Sequence, residues 1–248
     1  MSQSLSVQEY IALQPRLAWR RWLMRLLIRT VGYTLVKVDV EGLENVPDSG
    51  PTILMMNHIS AIDPVICMGA VTSRFVIPMT KAEVENAGLL GFFARWWKPF
   101  FVHRGAADRR ALMASIELIR SGQLVLIAPE GTRNPEGLQK PHDGLAYVAT
   151  KTDAVIVPAA ISYAQDAPQK LRRFRRAYAS IRFGKPFKFR KIAGQKRVPR
   201  EILHTMMEEA MYQLAIAVQD ENARGAYSDL TQATTEYIEF VDPKDYAT

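Results

Sequence analysis

His58 and Asp63 are the two residues of this chain whose types and spacing best suit acid–base chemistry. They follow an apolar run, Thr52–Met56, that is typical of a buried strand. In α/β sheets, ligands bind beyond the carboxyl ends of the strands, so His58 occupies a suitable position for a reactive group. A carboxylate beside a histidine fixes the ring tautomer and stabilises the imidazolium that forms when the ring accepts a proton. Asp63 also precedes Pro64, and the alternative is that it caps the next helix.

A second group of polar residues follows another strand-like run, at Ala128–Arg133. It places the Glu130 carboxylate, a flexible glycine and the Arg133 guanidinium within four residues. The forked donors of arginine suit a phosphate group. The segment Phe100–Gly105 likewise ends a strand-like run with a base, Arg104. An ordinary polar turn or a solvated strand end is the alternative interpretation of each segment.

Short apolar runs alternate with segments of helical periodicity along most of the chain. The predicted strands are Leu35–Val40, Thr52–Met56, Arg74–Met79, Phe100–His103, Leu124–Ala128, Ala154–Ile161 and Ala179–Phe183. The predicted helices are Pro64–Val71, Val84–Trp97, Ala107–Ser121, Asp143–Thr152 and Pro199–Gln219. Strands interleaved with helices favour an α/β fold in which a mixed, largely parallel sheet is flanked by helices.

The distribution of charge indicates an anionic partner and a distinct C-terminal part. Ten acids stand against two bases from Glu201 to Thr248, which leaves +15 on residues 1–200, since the whole chain carries +7. A basic body suits nucleic acid, anionic lipid or a phosphorylated substrate. We divide the chain into an N-terminal segment (1–34), a main domain (35–219) and an acidic extension (220–248), to which the pattern assigns no structure.

The segment Arg16–Val36 predicts an amphipathic helix that associates with a membrane. Its five arginines come without an acid, and Arg21, Arg25 and Arg29 fall on one face, roughly opposite Trp19 and several leucines. This pattern is typical of a helix that lies on an anionic membrane surface. The alternatives are a helix packed on its own core and a basic arm that binds nucleic acid. We expect neither a spanning helix, which needs roughly 18 to 20 uninterrupted apolar residues, nor a signal peptide.

The cysteine and the histidines bear on the cellular compartment and on metal binding. Cys67 is the single cysteine and lies in an apolar run, which predicts a buried thiol and fits a cytoplasmic compartment. The other three histidines do not form a metal-ligand pattern with His58, so we predict no metal.

Four motifs, taken in order, resemble those of the lysophosphatidic acid acyltransferase family. The first, Asn-His-x4-Asp, is complete at Asn57, His58 and Asp63, and the third, Pro-Glu-Gly-Thr-Arg, is complete at Pro129–Arg133. The second and fourth are matched in part, at Phe101, Val102, Arg104, Gly105 and Ile156–Ala159. The resemblance covers roughly residues 38–186.

The resemblance implies an enzyme that transfers a fatty acyl group from acyl-CoA or acyl carrier protein to the free hydroxyl of 1-acyl-glycerol-3-phosphate. His58 would be the general base, oriented by Asp63. Five residues would bind the acceptor: Arg104, Glu130, Gly131, Thr132 and Arg133. We expect no cofactor, no nucleic acid, and a position on the cytoplasmic face of the membrane. The alternatives are an acyltransferase for another lysophospholipid, a metal-dependent phosphoesterase, and a non-catalytic membrane-binding protein of the same fold.

Overall fold

The N-terminal helix is longer than the sequence predicts. The computed structural model describes residues 6–81, 84, 88–102, 107–192 and 198–246. Helix α1 (Val7–Leu27) begins at Ser6, where the Ser6 hydroxyl and the Glu9 carboxylate satisfy each other's backbone N–H in a capping box. It continues through a π-helical turn (Ile28–Gly32) into the short helix α2 (Tyr33–Leu35).

Within the described residues, nine strands form one mixed sheet. The strands are β1 (Val36–Glu41), β2 (Thr52–Met56), β3 (Val76–Lys81), β4 (Phe100–Val102), β5 (Leu124–Ile127), β6 (Val155–Ser162), β7 (Ala177–Phe183), β8 (Phe187–Phe189) and β9 (Ile238–Phe240). The helices after α2 are α3 (Asp63–Ala70), α4 (Gly88–Trp97), α5 (Ala107–Arg120), α6 (Gly144–Thr152), α7 (Ala167–Arg172) and α8 (Arg200–Ala217).

The strand order is β1-β7-β6-β2-β5-β3-β4, with β8 beside β6 and β9 beside β8. The strands from β6 to β4 are parallel to one another, whereas β7 and β1 run in the opposite direction. The predicted mixed, largely parallel sheet with flanking helices is confirmed. The short elements α7, β8 and β9 were not predicted, because three to six residues carry too little periodicity to identify them.

Strand β2 lies at the centre of the sheet and is completely buried. Successive side chains point to opposite faces, so Ile53 and Met55 join the hydrophobic core on one face, and Leu54 and Met56 join the core on the other. Each such side chain contributes about 1.5 to 3 kcal/mol when it is fully buried. The residues that follow β2 are therefore held at the end of a completely buried central strand. Cys67 is buried against Met56 in one of these cores, as predicted.

The three arginines of the predicted strip, Arg21, Arg25 and Arg29, donate hydrogen bonds to the body of the protein, and their exposure increases from the buried Arg21 to the exposed Arg29. Arg21 is buried; its Nε donates to the carbonyl of Trp97 at 2.9 Å, and its Nη2 donates to that of Lys98 at 3.1 Å. Arg29 donates to the carbonyl of Gly69 at 3.0 Å, and Nη1 of Arg25 donates to the carbonyls of Val71, at 3.3 Å, and Arg74, at 3.4 Å.

For Arg21 the prediction that this strip binds anionic headgroups is therefore wrong, because its guanidinium is buried. Except for that of Arg74, the carbonyls that these arginines contact lie at the C-terminal ends of α3 and α4, where backbone acceptors have no partner within the helix. Cations are also favoured there by the helix dipole. A helical wheel shows that the arginines share a face, but it does not show that two helix ends meet that face.

The opposite side of α1 and α2 exposes apolar side chains. These residues are Trp19, Trp22, Leu23, Leu26, Leu27, Val31 and Leu35. Among the described helices, none is long and apolar enough to cross a membrane. The N-terminal helix thus has a basic side bonded to the body of the protein and an apolar side directed to the surroundings.

Candidate active site

His58 and Asp63 form the hydrogen-bonded pair that their spacing predicts. His58 lies two residues beyond β2, and its Nδ1 is 2.9 Å from Oδ2 of Asp63. Asp63 is completely buried, whereas the His58 side chain is 22% exposed. Because the neutral ring donates to this carboxylate through Nδ1–H, the unprotonated nitrogen is Nε2. Nε2 of the neutral ring is therefore a proton acceptor.

The carboxylate of Asp63 does not cap helix α3. The helix begins at Asp63 itself and its preceding residue makes no capping bond through its side chain. Oδ2 instead accepts from the backbone N–H groups of Ile59, at 2.7 Å, and Ser60, at 2.6 Å. Burial raises the pKa of Asp63, and the hydrogen bonds from His58, Ser60 and Ile59 oppose that rise. The capping alternative is wrong: this carboxylate folds the turn that carries His58.

Asn57 is a further structural residue of the site, which sequence reasoning named only as part of a motif. Its buried amide donates to the carbonyl of Ile161 at 2.8 Å and accepts from the Ile161 N–H at 2.7 Å. The side chain thus fixes the end of β2 to the neighbouring strand β6. The sequence signal for this role is an amide residue directly after an apolar strand, because a buried amide must find hydrogen-bond partners.

Glu130 is buried and turned towards its own loop, the β5–α6 loop (residues 128–143). Its Oε2 accepts from the side-chain amide of Asn134 at 2.6 Å and from the backbone N–H of Gln139 at 3.0 Å. Burial raises the pKa of Glu130, and the bonds from Asn134 and from the backbones of Gln139 and His58 oppose the rise. The backbone N–H of Asn134 donates to the carbonyl of His58 at 2.7 Å. Glu130 therefore links this loop to the His58 turn.

The other predicted residues of the third motif lie at the surface. Gly131 has a φ of +68°, and a Cβ at this position would lie 3.2 Å from the ring of His142, so glycine fits this turn best. Thr132 and Arg133 are exposed. Arg133 and His58 line the same cavity, so the structure brings these two predicted residues together. Arg104 lies outside the described residues.

The cavity beside His58 has a volume of about 220 Å³ and a mostly apolar lining. Its apolar side chains include those of Met56, Met68, Phe93, Trp97 and Leu126. The indole N–H of Trp97 donates to the carbonyl of Val76 at 2.8 Å, which fixes this ring in the wall. The site thus contains a proton acceptor and a guanidinium beside an apolar cavity. No three His, Cys, Asp or Glu side chains are grouped as metal ligands in the described parts of the chain.

The C-terminal segment (residues 220–246) packs against the β5–α6 loop. Leu138 donates its N–H to the carbonyl of Ala223 at 3.1 Å and accepts from the N–H of Ala226 at 3.0 Å. Between these bonds lies Gly225, with a φ of +51°; a Cβ there would lie 2.4 Å from the carbonyl oxygen of Leu138. Since the next residue, Gln139, donates to Glu130, the C-terminal segment supports the loop that contacts His58.

The comparisons with known proteins place the chain in a family of acyltransferases. A family model described as Acyltransferase matches residues 37–162, which contain His58, Asp63 and Glu130, and the chain belongs to this family. The predicted family is thereby confirmed.

Particular relatives are named for lysolipid acceptors. The chain is 30% identical over 166 residues to 1-acyl-sn-glycerol-3-phosphate acyltransferase alpha of Homo sapiens, covering 64% of this chain and 58% of that one. It is 32% identical over 126 residues to 1-acyl-sn-glycerol-3-phosphate acyltransferase of Borreliella burgdorferi, with 50% of each chain covered. It is 33% identical over 118 residues to lyso-ornithine lipid O-acyltransferase of Pseudomonas aeruginosa, covering 47% and 45%. The chain therefore spans about half the length of these relatives.

The fold is also similar to a solved structure. The 1-acyl-sn-glycerophosphate (LPA) acyltransferase PlsC from Thermotoga maritima matches with a TM-score of 0.50 and 24% identity, covering 81% of this chain and 87% of that one. This likeness supports the α/β sheet flanked by helices.

Proposed function

We propose that this protein transfers a fatty acyl group from a thioester donor, acyl-CoA or acyl carrier protein, to the free hydroxyl of 1-acyl-glycerol-3-phosphate. The observation that carries the proposal is the His58–Asp63 pair at an apolar cavity that Arg133 also lines. Membership of the acyltransferase family supports the reaction type. The names of the human and Borreliella relatives support the choice of acceptor.

His58 acts as the general base. Its Nε2 accepts the proton of the acceptor hydroxyl while the hydroxyl oxygen attacks the thioester carbonyl. The Asp63 carboxylate stabilises the imidazolium that forms and keeps Nδ1 directed away from the substrate. Collapse of the tetrahedral intermediate breaks the C–S bond, and the leaving thiolate takes the proton from His58. The products are an ester and a free thiol, and no acyl-enzyme is required.

Arg133 binds the phosphate of the acceptor, because its guanidinium is exposed and shares the cavity of His58. Two donors of a guanidinium can contact two phosphate oxygens at once. Gly131 gives the loop its turn, while Thr132 and Arg104 remain candidate contacts to the same group. Glu130 contributes by holding the loop, since its buried Oε2 is occupied by donors of that loop.

The cavity receives the acyl chain next to the reacting thioester. Its lining is mainly side chains of Met, Phe, Trp, Leu, Val, Ala and Pro, which offer no hydrogen bonds that an alkyl chain would leave unpaired. An apolar pocket with a few polar groups at one end is the usual form of a lipid-binding site.

The protein associates with a membrane surface, from which it takes the lipid acceptor. The exposed tryptophans and leucines of α1 support this, because such side chains are favoured at the boundary between headgroups and acyl chains. We place the protein on the cytoplasmic face, which the absence of a second cysteine fits.

A second acceptor class is the main alternative within the same chemistry. The Pseudomonas relative, named lyso-ornithine lipid O-acyltransferase, shares 33% identity over 118 residues. The His58–Asp63 pair would serve any lysolipid hydroxyl, and only the headgroup contacts would differ.

The test is incubation of the purified protein with acyl-CoA, or with acyl carrier protein as donor, and a panel of lysolipids in the presence of a chelator. We expect phosphatidic acid and a stoichiometric free thiol from lysophosphatidic acid, and neither product from the His58→Ala variant. If thiol is released only with a different lysolipid, the proposed acceptor is wrong and the proposed reaction type stands. No thiol release with any donor, or release only after metal is restored, would contradict the proposal.

A further inference from the structure

A basic and aromatic tip projects from the connection between β6 and β7. It comprises residues 170–176, which we call the α7 tip, and reads Lys-Leu-Arg-Arg-Phe-Arg-Arg. Phe174 is completely exposed, and the five bases around it are exposed as well. In the described part of the chain, no carboxylate forms an ion pair with these five bases. The tip is therefore a concentrated, uncompensated positive charge with a phenyl ring at its centre.

The tip is held in one conformation by its own backbone. The N–H of Phe174 donates to the carbonyl of Leu171 at 3.0 Å, and that of Arg175 donates to the carbonyl of Lys170 at 2.9 Å. Phe174 has a φ of +53°, a left-handed conformation that is unusual for a bulky residue. The exposed ring makes no internal packing contact that would offset the cost of this backbone conformation. The fold itself thus provides no reason for phenylalanine at this position.

The tip lies at the same edge of the sheet as His58. Strand β6 ends at Ser162 and the antiparallel strand β7 begins at Ala177, so the connection between them lies beyond the carboxyl end of β6. Asn57, next to His58, is bonded to Ile161 at that same end. Val36 pairs with Ala177, which also places the end of the N-terminal helical segment beside the tip.

Two exposed tyrosines at the base of the tip extend the aromatic surface. The rings of Tyr163 and Tyr178 are 5.6 Å apart, and the ammonium of Lys37 lies 5.7 Å from the ring of Tyr178. Tyrosine and lysine side chains are favoured at the level of lipid headgroups.

We propose that the α7 tip is a second membrane contact, distinct from α1, in which Phe174 inserts among the headgroups of an anionic lipid surface and the surrounding bases bind the phosphates. A convex tip with an outward phenyl ring fits a lipid surface. Binding of a nucleotide phosphate, as in coenzyme A, would instead require donors that converge on a concave site. The inference deepens the proposed membrane association and is independent of acyl transfer.

The test is sedimentation with vesicles that contain neither donor nor acceptor. One set contains phosphatidylglycerol and the other contains phosphatidylcholine alone. Phe174→Asn keeps a residue that tolerates a positive φ, and Arg175→Ser/Arg176→Ser removes two charges. Phe240→Asn and Arg190→Ser/Lys191→Ser are the matched controls, because these exposed residues lie on or just after β9 and β8, at the amino end of β6.

We expect Phe174→Asn to weaken binding to anionic vesicles at least about fivefold, with a melting temperature that does not fall. The double arginine variant should weaken it by about fivefold for each charge at low salt, and less at high salt. Control variants should bind as the parent does. Unchanged binding of both tip variants, or equal losses in the controls, would overturn the proposal. So would a raised KM for acyl-CoA, measured with soluble substrates, together with unchanged vesicle binding.

Discussion

A single carboxylate oxygen, Oδ2 of Asp63, accepts hydrogen bonds from the His58 ring and from two backbone amides. The other oxygen, Oδ1, receives no donor from the described residues. The same atom therefore folds the turn after β2 and fixes the orientation of the histidine. The site is preorganised before a substrate binds, which is the condition for efficient proton transfer.

Replacement of Asp63 by asparagine separates these two roles. The asparagine oxygen can accept from the backbone N–H groups of Ile59 and Ser60 as Oδ2 does, and the amide nitrogen takes the place of the unpaired Oδ1. We expect a near-native melting temperature. Acyl transfer should fall at least about 100-fold, because the amide carries no charge to stabilise the imidazolium. Thermal denaturation and thiol release from acyl-CoA measure the two effects.

The control is the histidine itself. His58→Ala should lose at least as much activity as Asp63→Asn, and the double variant should lose little more, because the two residues act as a unit. A stable Asp63→Asn protein with most of its activity would leave Asp63 a structural role alone.

Arg133 is predicted to determine the use of a phosphorylated acceptor. Arg133→Ala should raise the KM for lysophosphatidic acid at least about 10-fold, because a charge-assisted contact of roughly 1.5 to 3 kcal/mol is lost. Lys140→Ala, which removes an exposed base of the same loop that does not line the cavity, is the matched control. Steady-state kinetics with acceptor varied at saturating acyl-CoA provide the measurement. If the two variants behave alike, Arg133 does not bind the acceptor.

The geometry of His58 and Asp63 could be predicted from sequence because the two residues lie in one turn after a recognisable strand. The inward orientation of Glu130 could not. Its partners, Asn134 and Gln139, lie four and nine residues further along, and no local pattern shows that their donors converge on this carboxylate. A glutamate beside an exposed arginine looks like a ligand contact until the fold of the loop is known.

At the scale of elements, the C-terminal segment acts on the site through its contact with the β5–α6 loop. It is itself fixed by Glu209, whose buried carboxylate accepts from the backbone N–H groups of Glu236, at 2.7 Å, and Tyr237, at 2.9 Å. From this anchored segment, contacts run through Leu138 and Gln139 to Glu130 and the His58 turn. The segment therefore supports the turn of the proposed general base through residues of the β5–α6 loop.

Gly225→Ala tests this support. The added methyl would meet the carbonyl of Leu138 at 2.4 Å, so we expect the two backbone hydrogen bonds of Leu138 to the C-terminal segment to break. As a result, kcat should fall at least about tenfold, because misplaced catalytic groups typically cost an order of magnitude or more in rate. Amide hydrogen exchange of residues 130–140 should become faster. Gly122→Ala is the control, because Gly122 also has a positive φ of 80° but no neighbour within 4 Å.

The control separates local strain from the loss of loop support. Both variants should lose stability through the strained backbone, but Gly122→Ala should keep its kcat and its exchange rates. If Gly225→Ala fails to fold, Gly137→Ala introduces a milder contact of 3.1 Å with the same segment. If Gly225→Ala and Gly122→Ala have equal kcat values, the C-terminal segment does not position the β5–α6 loop for activity.

The order of strands and helices could be predicted because apolar runs and helical periodicity are local properties. The burial of Arg21 could not be predicted, for a related reason. Periodicity gives the two faces of a helix, but the choice of face depends on what the rest of the chain presents. Here the C-terminal carbonyls of α3 and α4 bind the arginines, and no pattern within the helix indicates those acceptors.

At the scale of the whole molecule, the two sides of α1 predict opposite effects of substitution. Trp22→Ser/Leu26→Ser changes exposed side chains, so vesicle binding should fall several-fold while the melting temperature is kept. Arg21→Ala leaves the carbonyl of Trp97 without its side-chain donor and that of Lys98 with the Tyr10 hydroxyl alone, and should lower the free energy of unfolding by about 1 to 3 kcal/mol. Vesicle sedimentation and denaturant unfolding of both variants check this. Vesicle binding that depends on Arg21 and not on Trp22 would contradict it.

The separation of the two sides of α1 has a practical consequence. An enzyme whose anchor is also part of its core normally has to be handled in detergent. Here the outer side chains can be made hydrophilic without touching the bonds that fix the helix to α3 and α4. Such a variant should remain monodisperse in plain buffer and still acylate short-chain lysolipids dissolved as monomers. If the proposed function and the proposed membrane contact of α1 are right, it should lose its activity towards the same headgroup embedded in a bilayer, while the His58–Asp63 pair is unaltered.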